Sequence, residues 1–263
     1  MSDSKRVELS VDDGIATIAF NRPDVRNAID DRMRIELAAA LENVESDDAV
    51  RAIVLTGNGS AFCAGGDIAG MRQRLKAPAG EVAVNGWKRQ RKLHRIVTML
   101  HDLPKPTVAA VNGAAAGLGC DLALCCDFIM ASEAAMFTMS FVLRGLVPDG
   151  GGMYFLPRRV GLARAKELIF TGRRVEAKEA LAMGLADRMT AAATLLKDAR
   201  TWAKELSQGS ASSLALSKAI LDQSFELTAE QALALGREAQ AICYTTAEHH
   251  EAVAAFLAKS KSR

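Results

Sequence analysis

The stretch VNGAAAGLGCDLALCCD, Val111 to Asp127, constrains this chain more than any other. An apolar run, TVAAV, ends in a turn made almost wholly of Gly and Ala, and this passes directly into an apolar helix with an acid, Asp121, in its first turn. Small residues at such a junction let a backbone or a ligand come close. A helix start also offers unpaired N–H groups and about half a positive charge. The same logic recurs in GNGSAFCAGGDIAGM, Gly57 to Met71, after the apolar run AVRAIVL. Two such ends facing one point make a site for developing negative charge; the plainer alternative is that the small residues only permit close packing of helix on strand. Neither turn carries the phosphate-loop pattern or a G-x-G-x-x-G fingerprint, which argues against nucleotide binding.

The remaining periodicity gives an α/β chain. GIATIAFNRP (14–23) reads as a strand apolar on both faces, halted by Asn-Arg-Pro. Ile29, Met33, Leu37, Ala40, Leu41 and Val44 then form one helical stripe. Apolar strands separated by helices predict a parallel sheet covered on both faces. EVAVNGWKRQRKLHRIVTMLHDLPKP reads as a long helix stopped by Pro104 and Pro106, LGCDLALCC as a short buried helix, and DFIMAS as a strand. After about residue 160 the spacing is helical, ending in TAEHHEAVAAFLAKSKSR, an amphipathic helix and basic tail. The expected division is a core of residues 1–195 and a C-terminal helical region of 196–263 that packs on the core or on a neighbouring subunit.

A net charge of +2 gives no bulk bias toward nucleic acid or acidic partners. Lys88, Arg91, Lys92 and Arg95 lie near one face of the long helix; a solvated face is the expected reading, and RNA binding the minor one. No run of 18 apolar residues and no apolar segment after the N-terminal charges occurs, so a cytoplasmic protein with no membrane contact is expected. Five cysteines in poor metal spacing read as reduced, buried thiols. Cys63 lacks an adjacent base and reads as packing, and His94, His101, His249 and His250 as surface or helix-packing residues.

NRPDVRNAI, IVLTGNGSAFCAGGDI, KPTVAAVNGAAAGLGCDLALCCD, GLVPDGGG, LPRRVG and EAKEALAMGLAD stand in the order and spacing of the crotonase superfamily, the enoyl-CoA hydratase/isomerase family, which the chain resembles from about Val7 to Lys259. The resemblance implies a crotonase-like α/β fold, a repeated ββα spiral core with parallel sheets and a C-terminal helical region. It also implies an acyl-CoA substrate whose thioester enolate is stabilised in an oxyanion hole, and a trimer or dimer of trimers. The two main-chain donors of that hole fall on Ala64 and Leu118, and the bulk of Leu118 narrows the acyl pocket. Arg26, Ala28, Ala64, Gly65, Gly66, Asp67 and Ile68 line the CoA channel, and Lys259 reaches the CoA phosphates. No metal and no redox cofactor is implied; CoA enters as part of the substrate.

The proton carriers depart from the hydratase pattern. Of the two glutamates common in hydratases of the family, one position holds Asp121 and the other Phe141. Asp149 in GLVPDGGG resembles the acid of dienoyl-CoA isomerases and ring-epoxide isomerases, and one carboxylate that carries a proton between two carbons moves a double bond without activating water. Isomerisation is therefore favoured, with hydration by Asp121 and Asp149 together as the alternative. The structural readings are a helix N-cap for Asp149 and a dipole-complementing first-turn acid for Asp121.

Overall fold

A computed structural model describes residues 4–74 and 76–260. Its larger sheet has six strands in the order β1 (Val7–Asp12), β2 (Ile15–Phe20), β3 (Ala52–Gly57), β5 (Thr107–Val111), β7 (Phe128–Ser132) and β10 (Arg188–Thr190). The β1–β2 pair is antiparallel and the rest are parallel. Alternate residues of these strands face two separate cores. Ala16, Ile18, Phe20, Ile53, Leu55, Ala109 and Val111 pack toward the helical side with α1 (Asp31–Ser46), α3 (Ala79–His101) and α4 (Leu118–Leu124). Ile15, Ala52, Val54, Val108 and Ala110 pack on α8 (Leu195–Leu206) through Leu195, Ala199, Trp202 and Ala203. Burial on both faces explains why these strands read as continuous apolar runs.

A smaller sheet runs β4 (Ala61–Cys63), β6 (Ala114–Ala116), β8 (Met136–Thr138) and β9 (Val175–Glu176), with the first three parallel. Each is the second strand of a repeat: β3 leads to β4 and then α2 (Ile68–Arg74) and α3, β5 to β6 and α4, and β7 to β8 and α5 (Gly152–Val160). Because β4, β6 and β8 are parallel neighbours, the loops that leave their C-terminal ends emerge at one edge. That edge is where ligands gather in parallel sheets.

The chain continues through α6 (Leu162–Thr171), α7 (Ala177–Ala182), β10, α8, α9 (Ala211–Leu221), α10 (Ala229–Tyr244) and α11 (Ala247–Ser260). The expected boundary after residue 195 falls at the start of α8, whose apolar face covers the large sheet, so by packing α8 goes with the core. Neither α9 nor α10 buries a residue within the protomer. Polar contacts hold α9 and the turn before it: Lys218 on α9 pairs with the Asp127 carboxylate at 3.0 Å, and the guanidinium of Arg51 donates to the carbonyl of Gly209 at 2.8 Å. The first three residues and the last three of the basic tail lie outside the described residues.

Candidate active site

The first loop at this edge follows β4. Its register against the second loop is set by direct backbone packing: a Cβ on Gly119 would sit 2.2 Å from the Cys63 carbonyl oxygen, and one on Gly65 would lie 2.6 Å from the Ala116 carbonyl oxygen and 3.5 Å from the Leu118 nitrogen. Side chains there would force the two loops apart. The close approach that the small residues promised is therefore first of all loop on loop, and it brings the Ala64 and Leu118 segments into one neighbourhood. Gly117 precedes Leu118 with φ 51°, and its N–H donates to the Thr138 carbonyl at 2.9 Å, joining the second loop to the end of β8.

Leu118 is the first residue of α4, so its amide is among those a helix leaves without an intrahelical partner. Its side chain is buried and packs toward Gly150. The Ala64 amide is differently placed, donating to the Arg26 carbonyl at 2.9 Å. Arg26 and Asn27 are consecutive left-handed residues, φ 53° and 58°, that close the single 3₁₀ turn Pro23–Val25. Asn27 is fully buried and holds this corner: its amide donates to the carbonyls of Asn58, Ala61 and Phe62 and its oxygen accepts from the Arg22 N–H. Ala28 and Ile29 continue the strip, with Ile29 N–H donating to the Gly65 carbonyl and Asp67 N–H to the Ile29 carbonyl. The Ala64 amide is therefore already engaged within the protomer.

Asp67 serves the frame. Its Oδ1 accepts from the Ala69 amide at 2.9 Å and Oδ2 from Arg22 at 3.0 Å. Burial pushes the carboxyl up, but Arg22 and the α2 amides outweigh it and hold the group below its ordinary value. Gly66 and Ile68 flank it, Ile68 being exposed.

The second and third repeats each supply an acid, Asp121 on α4 and Asp149 ahead of α5. Phe141, at 8% exposure, follows β8, and its ring faces the position of a Gly117 Cβ at 3.8 Å, beside the second loop. Asp149 is not a helix cap: α5 starts at Gly152 and its N-cap is Gly151, with no side-chain cap bond. The Asp149 carboxyl is half-buried. Desolvation raises it above its ordinary 3.8, against the pull of its own amide and of His94, Arg34 and Arg89. Asp121 is in the first turn of α4 with 0% exposure. Its Oδ2 accepts from the Gly150 N–H at 2.9 Å, while Oδ1 is buried without a hydrogen-bond partner. Burial, with the nearby charge of Asp149, raises this carboxyl well above 3.8 despite the amides of Gly150 and Gly152.

The other expectations can be placed on the same frame. The four cysteines 63, 120, 125 and 126 are buried, Cys243 is half-buried, and all five are free thiols; burial pushes Cys63 up to about 12, far from a reactive thiolate. Among the described residues no group of three or more His, Cys, Asp or Glu is arranged for a metal ion, and no helix is long and apolar enough to cross a membrane. On the basic face of α3, Arg95 pairs with Glu42 at 2.9 Å and Arg91 lies over the Trp87 ring. His101 packs against Phe155 and His249 against Tyr244, as expected of packing residues. His94 is more engaged: its Nε2 lies 2.9 Å from the Asp149 carbonyl oxygen. Lys259 is exposed on α11.

Three successive strand–strand–helix repeats that deliver two small-residue loops and an acid to one edge define a class of mixed α/β enzyme. Residues 10–263 match the family model described as Enoyl-CoA hydratase/isomerase. The chain is 37% identical over 249 residues to a 1,2-epoxyphenylacetyl-CoA isomerase of Escherichia coli (strain K12), covering 95% of this chain and 94% of the relative. It is 32% identical over 259 residues to a crotonyl-CoA hydratase of Syntrophomonas wolfei, covering 98% and 97%. A crystal structure of an enoyl-CoA hydratase/isomerase from Cupriavidus metallidurans CH34 superimposes with a TM-score of 0.90 at 34% identity, over 98% of this chain and 96% of that one. The protein belongs to the enoyl-CoA hydratase/isomerase family and has its crotonase fold.

Proposed function

We propose that this enzyme isomerises an enoyl-CoA, moving a double bond through a thioester enolate. In this reading the thioester oxygen takes hydrogen bonds from the amides of Leu118 and Ala64, the latter shared with or released from Arg26. Loss of one such donor costs roughly 2.7–4 kcal/mol of barrier in comparable sites. Asp149 removes a proton from the carbon that the thioester acidifies and returns it to another carbon of the same substrate. The bonds balance without water, electrons or a metal, so no cofactor is proposed beyond the CoA the substrate carries.

The observation that carries this reading is the arrangement of the second and third repeats. One acid, Asp149, is half-buried, while Asp121 is enclosed beneath Gly150 and an apolar ring, Phe141, stands beside the second loop. Water addition by two carboxylates is poorly served by such a set. The similarity to a 1,2-epoxyphenylacetyl-CoA isomerase supports the same side, and the similarity to a crotonyl-CoA hydratase makes hydration the outcome to test against.

Arg26, Ala28 and residues 64–68 form the proposed CoA channel, with Ala64, Gly65 and Gly66 supplying main chain and Asp67 bracing it. Lys259, on a helix that packs on α10, is proposed to reach the CoA phosphates, in a trimer or dimer of trimers those of a neighbouring subunit. The cytoplasm is the proposed location, in keeping with five unpaired thiols.

The test uses a β,γ-unsaturated hexenoyl-CoA for isomerisation and crotonyl-CoA for hydration. Isomerisation is expected to exceed hydration, and Asp149→Asn is expected to lower kcat at least about a hundredfold, the usual scale of a general acid–base contribution. For the wild type, kcat/KM should fall as pH drops through the raised carboxyl value of Asp149, because the base must be ionised. Near-normal turnover by Asp149→Asn removes Asp149 from the mechanism.

A further inference from the structure

The peptide that joins Asp149 to Gly150 is gripped on both of its polar atoms. On one side the carbonyl oxygen of Asp149 lies 2.9 Å from Nε2 of His94, on α3. A carbonyl only accepts, so this nitrogen carries a proton. On the other side the N–H of Gly150 donates to Oδ2 of Asp121, on α4, at 2.9 Å. Two side chains from two helices thus fix one peptide plane, and that plane adjoins the proposed proton carrier. The helix α5 begins two residues later, at Gly152, with Gly151 as its N-cap.

The glycines around the plane are fitted to this grip. A Cβ on Gly150 would lie 2.6 Å from both Oδ2 of Asp121 and Cδ1 of Leu118, and one on Gly152 would lie 2.3 Å from Oδ1 of Asp121. The loop therefore lies directly on the Asp121 carboxyl, and Asp121, fully enclosed, has no path to a substrate of its own. A buried acid at a position where an apolar side chain would pack as well calls for a function for its oxygens, and the bond to Gly150 is the one it makes.

We propose that His94 and Asp121 are positioning residues, a two-jawed clamp on the Asp149–Gly150 peptide that sets the direction in which the Asp149 carboxyl leaves the loop. The proposal rests on the reading of Asp149 as the proton carrier. Rotation of the held peptide swings the Cα–Cβ bond of Asp149, and a misplacement near 1 Å at a reacting group costs about a hundredfold in rate. Burial raises the Asp121 carboxyl well above its ordinary value, which lessens the negative charge the clamp sets beside Asp149.

Four variants and one exchange measurement test the clamp. His94 is solvent-facing, so substitutions there leave the fold intact. His94→Leu is expected to lower kcat for β,γ-unsaturated hexenoyl-CoA about tenfold or more with KM within about twofold, and His94→Gln, which still presents a donor, to recover to within about threefold of wild type. Asp121→Asn keeps an oxygen for the Gly150 amide and should lose far less than Asp121→Leu. Hydrogen–deuterium exchange of the 146–153 segment provides a reading that needs no substrate: protection of the Gly150 amide should survive in Asp121→Asn and fall in Asp121→Leu. Equal loss of kcat in Asp121→Asn and Asp149→Asn would make Asp121 a chemical participant and overturn the clamp, as would unaltered kcat in His94→Leu or unaltered protection in Asp121→Leu. Normal turnover in Asp149→Asn instead overturns the parent reading of the proton carrier, and exchange alone then decides the clamp.

Discussion

Asp121 was legible as a first-turn acid after a small-residue turn. Its enclosure was not, because burial of a first-turn acid depends on a loop 29 residues away folding over it. The same holds for His94, which offered no signal at all: an exposed histidine on a charged helix acquires meaning only when Asp149 arrives beside it. Asn27 stood inside a motif read for its neighbours Arg26 and Ala28, yet it is the buried amide of Asn27 that fixes the corner. The burial of Asp121 has a measurable consequence for stability. Its native carboxyl keeps a proton that the unfolded chain releases above about 3.8, so wild-type stability falls as pH rises from that value through the raised native one. Asp121→Asn removes this contribution, and the gap between its urea midpoints at about pH 5 and pH 8 should be smaller than that of the wild type.

At the level of elements, the long apolar runs and helical stripes were readable because each buries a face whose period matches its geometry. Met33, Leu37, Ala40, Leu41 and Val44 are buried on α1 as their spacing requires, while Ile29 is buried just ahead of the helix, in a bridge to Gly66. The short strands were not readable. Three residues such as Ala61–Cys63 or Ala114–Ala116 have no period to display, and they are strands because their neighbours in space make them so. The first hairpin did leave a sign, Asp13–Gly14, both at positive φ between two antiparallel strands, the two-residue turn that suits their twist. For α8, the helical spacing was legible but its allegiance was not. Trp202 is buried there against Phe128, ring centroids 5.0 Å apart, with Arg188 stacked over it. Trp202→Ala should lower the unfolding free energy by about 3–5 kcal/mol in urea titration, with kcat per folded molecule retained, since α8 lies across the sheet from the loop edge.

For the whole molecule, the C-terminal helices set the question of assembly. Phe225, Leu233, Ile242, Phe256 and Leu257 are all more than half exposed in the single chain. A second and third copy of this chain are the proposed cover, so Leu233→Glu with Phe256→Glu should reduce the mass found by light scattering to that of the protomer; a wild type that is itself monomeric at micromolar concentration refutes the assembly. The motif order let the overall fold be read from sequence, because three repeats of one pattern reinforce one another. What the order could not convey is how firmly the loops are interlocked. At Gly119 there is no room for even a methyl group, so the junction of the two loops is closed to alteration by side chains. Anyone wishing to redirect this catalyst to new thioesters is left with the side chains that border the loops rather than the glycines that lock them, and Phe141, whose ring lies beside Gly117, is the first to exchange.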